Sequence, residues 1–438
     1  MIILPSLEIV PAKYNGSTLL SQIPIDGTGD FTVTRATSPT TGQSTRVNAL
    51  GLIETVLDNV PRLDYPLGGA VNGCPALLVE PSAQNICLQS ADFGTTWSRT
   101  RINAFGSGSV LNTTATLDPF GTNLADYIQE DTSASDTHRI SQDIAITSGT
   151  TYTYTCFIKS AERFQAALYL FIGGVERYGV FNTNAGTATA NNATVGIDNF
   201  GNGWYRCRVT FTATASVTQN FRILICDDSG NLSYTGTGTK GIYVFGAQLE
   251  TGSVATSYIP TVASGITRAA DVIKDTTASG VIGQVEGTVY WEGAINRLDR
   301  IFFTLASGSS TTDLVRLQTT GAGLFQGVVV LTGTLQCAVS SLGAITLGQF
   351  NKVAFAYKQD DFVLYLNGVR QNADVSGSLP TNLNTVYFLS SNGTEITDQQ
   401  CRAAALYPTR LTDTQLALLT SPYTSYSSMA SALSYTLG

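Results

Sequence analysis

The chain has 438 residues, of which 43% are hydrophobic and only 13% charged, with 42 glycines and a formal net charge of −8. This balance excludes a disordered chain, which is poor in apolar and rich in charged residues. A net negative charge without a Lys/Arg cluster also argues against a nucleic-acid partner. No run approaches the roughly 18–20 apolar residues of a membrane-spanning helix. The start, MIILPSLEIVPAKYNGS, has no basic stretch followed by a long apolar one. A soluble protein without membrane insertion or export signal is expected.

Residues 1–84 show short apolar pieces (LEIVPAKY, DFTVTRAT, GLIETVL) broken by Gly and Pro, with no helical period. They read as an N-terminal attachment arm, or as strands that complete a neighbouring subunit; a small β-subdomain is the alternative. The stretch from Val60 to Phe93 carries Pro61, Pro66, Pro75 and Pro81. Proline fixes φ and reduces the disorder of the free chain, so this stretch reads as a stiff linker. Ala76–Val79 is expected as a short strand inside it, buried by a partner subunit or by the jelly roll that follows.

Residues 85–262 alternate. In Thr151–Lys159, Tyr152, Tyr154, Cys156 and Ile158 share one face; in RCRVTFTATA, Cys207, Val209, Phe211 and Ala213 oppose Arg206, Arg208, Thr210 and Thr212. Period two with one apolar face predicts antiparallel sheets on a core. FQAALYLFI, NFRILICD and GIYVFGAQLE add strands, and FGNG, DDSGN and TGTGTKG add turns, the pattern of a jelly-roll-type sandwich. Residues 263–279 read as a linker. Residues 280–420 repeat the pattern, with a hairpin in which Val353, Phe355 and Tyr357 alternate, Gln359–Asp361 turn, and Phe362, Leu364 and Leu366 alternate again. LTDTQLALLT then predicts a helix with a Thr412/Gln415 capping box and an apolar edge at Leu416 and Leu419. Residues 421–438 read as a short second helix and tail. The fold class is all-β: two tandem antiparallel β-sandwiches, an irregular N-terminal arm and a short C-terminal helix.

The seven cysteines (Cys74, Cys87, Cys156, Cys207, Cys226, Cys337, Cys401) are odd in number and form no CxxC pair. Cys156, Cys207 and Cys337 sit in apolar or alternating runs. Buried free thiols made in a reducing cytoplasm are expected.

Little points to catalysis. The single histidine, His138, lies in TSASDTHRISQD, read as a polar loop that places it at the surface or a strand edge. No nucleophile elbow accompanies it. Glu286 and Glu292 flank GTVYW. On a regular strand they would be about 20 Å apart, beyond the roughly 5–9.5 Å of glycosidase carboxylates. Asp360 and Asp361 read as turn residues. CDDSGN offers clustered oxygens but lacks the late Glu of a calcium loop, and reads as a hairpin turn. No catalytic residue, metal ligand or cofactor is assigned.

Residues 85–260 resemble a CenC-like carbohydrate-binding jelly roll through NICLQSADFGTTW, ITSGTTYTYTCFIKS, GNGWYRCRVTFTATA and GIYVFGAQLETGSVATSYIPT. Residues 280–420 resemble a laminin-G-like, concanavalin-A-like lectin domain through EGTVYWEGAI, NKVAFAYKQDDFVLYLNGVRQ and AALYPTRLTDTQLALL. The whole arrangement, from FTVTRAT and TRVNALGLIETV through VPRLDY, CPALLVEPSAQNICLQS and ITRAADVI, is similar to bacteriophage virion appendage proteins, the tail fibres and head spike fibres. The resemblance implies a structural protein assembled into the virion in the host cytoplasm. It would attach to other virion proteins through its N-terminal region, form a homotrimer, and bind host-surface glycans. Architectural decoration without a receptor and a glycan depolymerase are the alternatives. A structural calcium is implied by resemblance only, with no ligand assigned.

Such modules bind glycans on aromatic faces. The candidates are Tyr178, Tyr205, Trp204 and Tyr169, with Tyr243 beside them. Trp204 and Tyr205 lie in GWYR, a strand-start packing motif in that family; Tyr178, beside Arg177 after a Gly-Gly turn, is expected to be exposed. Trp291 and Tyr365 read as core residues.

Overall fold

The computed structural model describes residues 4–11, 13–35, 44–65, 74–103, 111–112, 115–388 and 398–422. The second helix expected in 421–438 lies outside them, except for residues 421 and 422.

The first sandwich pairs two six-stranded antiparallel sheets. The outer sheet runs, in spatial order, Ser98–Thr100, His138–Ile146, Val217–Ile225, Gln165–Ile172, Val175–Asn182, Thr187–Asn191. The cleft sheet runs Leu111–Asn112, Asp126–Gln129, Gly241–Thr251, Thr151–Ser160, Trp204–Thr212, Thr194–Gly201. The alternation read from sequence sets the layers. Tyr152, Tyr154, Cys156, Ile158, Cys207, Val209 and Phe211 enter one core with Leu168, Leu170, Phe221 and Ile223. Burying that apolar surface, at roughly 25 cal/mol per Å², holds the sheets face to face.

The second sandwich is larger than its expected boundaries. Its eight-stranded sheet contains Val369–Asp374, Asp361–Leu366, Phe350–Lys358, Glu286–Ile295 and Gln399–Tyr407, and then Ala76–Val79 and Arg62–Asp64; Leu7–Ile9 also pairs with Gln399–Tyr407. Its nine-stranded sheet starts with Tyr14–Asn15, Thr18–Leu19 and Phe31–Thr34. It continues through Val272–Asp275, Thr385–Tyr387, Ile301–Ala306, Leu314–Thr319 and Phe325–Leu331 to Thr334–Ser340. The segment expected as an arm thus supplies strands to this body, and the expected linker 263–279 supplies a strand inside one sheet. The cause is apolar. Leu7, Ile9, Phe31, Val33, Leu77 and Val79 are buried in the same core as Trp291, Phe302, Phe355 and Phe388. Leu7 lies opposite Leu406 and Leu77 opposite Cys401. Ala76–Val79 is the short strand expected, but it is buried by the second sandwich rather than by the jelly roll.

The first sandwich is therefore an insertion between two halves of the second. Its two connections meet in a ribbon of Ala83–Asn85 and Ile266–Arg268. A hairpin of Ser44–Val47 and Ile53–Val56 packs nearby, with Ile53 against Phe157, Trp204 and Tyr258 of the first sandwich.

The helix forms where predicted, over Asp413–Thr420, with both hydrogen bonds of the Thr412/Gln415 capping box. Leu416 and Leu419 cover Tyr290, Tyr365 and Tyr407 on the outside of the eight-stranded sheet. Six cysteines are buried and Cys74 is exposed; all seven are free thiols. Burial pushes the thiols of Cys87, Cys156 and Cys207 up. They behave as small apolar side chains.

Candidate functional site

On the solvent side of the outer sheet, one row of cross-strand neighbours reads Ser141, Arg222, Tyr169, Tyr178, Asn191. Register alone builds it, because directly opposed residues share a face. The Tyr169 and Tyr178 rings stack at 5.7 Å with 22° between their planes, and the Arg222 guanidinium lies 4.9 Å from the Tyr169 ring centre. The Tyr169 hydroxyl donates to Glu176 Oε1 at 3.0 Å. Burial and the Glu176 carboxylate raise its phenol above the usual range. Tyr169 is held inside the row, whereas Tyr178 is half-buried at its end. Two candidates of the sequence reading are thus brought together, with a cation, a carboxylate and an amide around them.

The other two candidates lie elsewhere. Trp204 is 1% exposed, donates its indole N–H to Leu117 O at 2.8 Å, and packs with Phe157 and Tyr258. It is a packing residue and offers no ring face to a ligand. Tyr205 points toward the core side and leans on the Gly186 turn. Tyr243 pairs with Tyr127 at 5.3 Å. Trp291 and Tyr365 are buried, as expected.

His138 is not at the surface. It opens the His138–Ile146 strand fully buried, with Nδ1 2.9 Å from Arg101 O and its ring 4.7 Å from Tyr234. Gly236 makes room, since a Cβ there would sit 2.7 Å from the ring. Glu286 and Glu292 lie on one strand, near Lys358 at 3.1 Å and Lys352 at 3.9 Å. In CDDSGN, Asp227 Oδ1 accepts from Ser229 N and Asn231 N at 2.9 Å each. Its carboxylate is occupied in closing a turn.

Between the sandwiches lies a cleft of about 790 Å³, which sequence reading did not find. One wall is the cleft sheet, with Asp198, Arg206 and Arg208; the other carries Asp64, Asn296, Asp398 and Gln400. Arg208 pairs with Asp198. Asp64 Oδ1 accepts from Val47 N at 2.7 Å and Oδ2 from Gln400 Nε2 at 2.8 Å. Burial raises Asp64 to about 6 and Asp398 to about 7. The only hint in the sequence was the polar face of Arg206, Arg208 and Thr210.

Behind the cleft is a buried ion cluster. Arg62 bonds Glu80 at 2.6 Å and also Asp271, Arg35 bonds Asp271 at 2.7 Å, and Arg268 lies 3.2 Å from Glu80. Ser257 N–H donates to Glu80 Oε1 at 2.7 Å, tying the first sandwich to the cluster. Burial pushes the Glu80 and Asp271 carboxyls up, but the arginines outweigh it and hold both below the usual range.

No family model matches the sequence, and no curated protein matches it. Among solved structures the chain is similar to a heptameric SAP-like pentraxin from Limulus polyphemus (14% identity, TM-score 0.26, 32% of this chain and 70% of that one). It is also similar to mouse laminin alpha1 domains LG4-5 (10%, 0.25, 62% and 87%) and to Trypanosoma rangeli sialidase with the inhibitor DANA (9%, 0.24, 68% and 60%). Similarity at these scores assigns neither ligand nor activity.

Proposed function

We propose that this chain is a structural component of a tailed-phage virion, a tail fibre or head spike fibre, that binds host-surface glycans. The observation that carries the binding role is the Arg222–Tyr169–Tyr178–Asn191 row on an open sheet face. The half-buried Tyr178 ring at the end of the row, backed by Tyr169 and beside the Asn191 amide, suits a sugar, whose apolar face stacks while its hydroxyls pair with polar groups. The virion context rests on the sequence resemblance. A binding role without catalysis is favoured because Glu286 and Glu292 each face a lysine. With the N-terminal strands built into the second sandwich, the proposal places attachment to other virion proteins on that body.

The test is binding of labelled protein to candidate host cells before and after periodate oxidation of surface glycans. Binding should fall to background after periodate and at least about tenfold in Tyr178→Ala. Periodate-insensitive binding would overturn the sugar receptor, and binding to no host would leave the sandwiches as architecture.

A trimer is proposed on the same resemblance. Its support is the neighbouring edge strands Thr334–Ser340 and Val369–Asp374, which have no further ladder partner among the described residues, with Leu335 and Val369 exposed; edges of this kind invite pairing with another chain. Native mass spectrometry at micromolar concentration should give three copies, and a sharp monomer would sink the assembly.

A further inference from the structure

We propose that the cleft between the two sandwiches binds a glycan bearing a carboxylate, with the acidic group held at Arg206 and the hydroxyls at the Asp64–Gln400 wall. This rests on the glycan-binding reading; it adds a ligand class and a second place for it.

Most charges lining the cleft already have partners. Arg46 bonds Glu54 at 2.7 Å, Arg208 pairs with Asp198, and Glu80 belongs to the buried cluster. Arg206 is different. It is 7% exposed, yet among the described residues its guanidinium hydrogen-bonds only neutral acceptors, Thr256 O at 2.7 Å and Thr155 Oγ1 at 3.3 Å, and lies 5.5 Å from the Phe157 ring centre. Its Nε has no hydrogen-bond partner among the described residues. Glu250, Asp198 and Glu80 act on it through space, but none forms an ion pair with it among the described residues, and burial outweighs them, holding the guanidinium below its usual range. A buried cation with no carboxylate in contact keeps part of its desolvation cost unrepaid. A ligand carboxylate would repay it through charge-assisted hydrogen bonds.

The opposite wall suits the rest of a sugar. The Asp64 carboxyl with the Gln400 amide, and the Asp398 carboxyl with the Asn296 amide 3.2 Å away, are planar polar pairs. Such groups offer adjacent acceptors and donors to neighbouring hydroxyls. Phe200 and Phe350 line the space between. The volume falls in the range of about 300–1,000 Å³ typical of small-molecule sites. A phosphate would meet two carboxyls on that wall, and a neutral sugar would leave Arg206 unpaired.

The test is calorimetric titration of the full chain with a short oligogalacturonate and with its carboxyl-reduced counterpart of equal length. The acidic form should bind about tenfold or more tightly. Arg206→Gln should abolish that preference and Tyr178→Ala should keep it. Gln349 is exposed at the cleft rim, so its variants preserve the fold. Gln349→Glu should weaken, and Gln349→Lys strengthen, binding of the acidic form alone. Equal affinity for both saccharides overturns the proposal. So does acidic binding that Tyr178→Ala removes and the Gln349 variants leave unchanged, since that places the ligand on the outer sheet. If neither saccharide binds while cell binding stays periodate-sensitive, the cleft site fails and the broader reading stands. Loss of periodate-sensitive cell binding overturns that reading itself.

Discussion

Asp271→Ala should cost about 3–5 kcal/mol of folding stability, the range for removing one partner of a buried charge pair. Asp271 Oδ1 accepts from Arg35 at 2.7 Å, and Oδ2 accepts from Arg62 and from Glu80 N–H at 2.9 Å. Without it, Arg35, Arg62 and Arg268 would share Glu80 alone, in a space with almost no water contact. The exposed Arg370–Asp413 pair at 3.3 Å is the control. Screened by solvent, it contributes about 0–1 kcal/mol, so Arg370→Ala should change little. Urea unfolding followed by tryptophan fluorescence reports on both bodies, because Trp97 and Trp204 lie in the first core region and Trp291 in the second. Since Ser257 and Glu80 couple the bodies, Asp271→Ala should also split one transition into two. A loss below about 1 kcal/mol would show that the cluster does not hold the joint.

Stability should fall as pH rises from 5 to 8. Burial raises Asp64 to about 6, and Asp126 and Asp398 to about 7, from 3.8. The folded state therefore binds these protons more tightly than the unfolded chain does. The contribution is full below pH 3.8 and is lost as pH climbs through 6 to 7. At about 1.36 kcal/mol per pH unit, Asp64 accounts for on the order of 3 kcal/mol and Asp126 and Asp398 for on the order of 4 kcal/mol each. Glu80 and Asp271, held down by arginines, act in the opposite sense but only in acid. Asp126 offers the direct check. Its Oδ2 accepts from Phe93 N–H at 2.9 Å, while its buried Oδ1 has no hydrogen-bond partner among the described residues. Asp126→Asn keeps the shape and removes the titration, so it should stabilise the protein at pH 8 and flatten the pH dependence. Parallel curves for variant and parent would contradict this.

The parts of the fold legible in the sequence were those encoded within one or two strands. Thr151–Ser160 and Trp204–Thr212 carried their own alternation, the Phe350–Leu366 hairpin its own turn, and Thr412 with Gln415 its own cap. The N-terminal strands carried no such signal. Leu7–Ile9 is three residues long, and its partner lies about four hundred positions away; nothing in a local period encodes that pairing. Half of the aromatic site was legible for the same reason. Tyr169 and Tyr178 belong to one hairpin, whereas Arg222 enters by register from a third strand. Of the cleft only the polar face of Arg206, Arg208 and Thr210 was legible, because Asp64, Arg206 and Gln400 meet only once both bodies exist. His138 misled because its polar neighbours suggested a loop, while the space at Gly236 admits the ring.

The insertion of one sandwich inside the other fixes an order of events during synthesis. Leu7–Ile9 leaves the ribosome long before Gln399–Tyr407, its partner, has been made. At about 5–20 residues per second the wait is on the order of half a minute. Through that time Leu7–Ile9 has no partner strand, while the first sandwich, whose last strand ends at Thr251, has its strands in place. Once formed, it brings Ala83–Asn85 against Ile266–Arg268 and turns a gap of about 180 residues into a short loop. That lowers the entropy lost when the two halves of the second sandwich close. The inserted body thus acts as an internal template for the one that surrounds it.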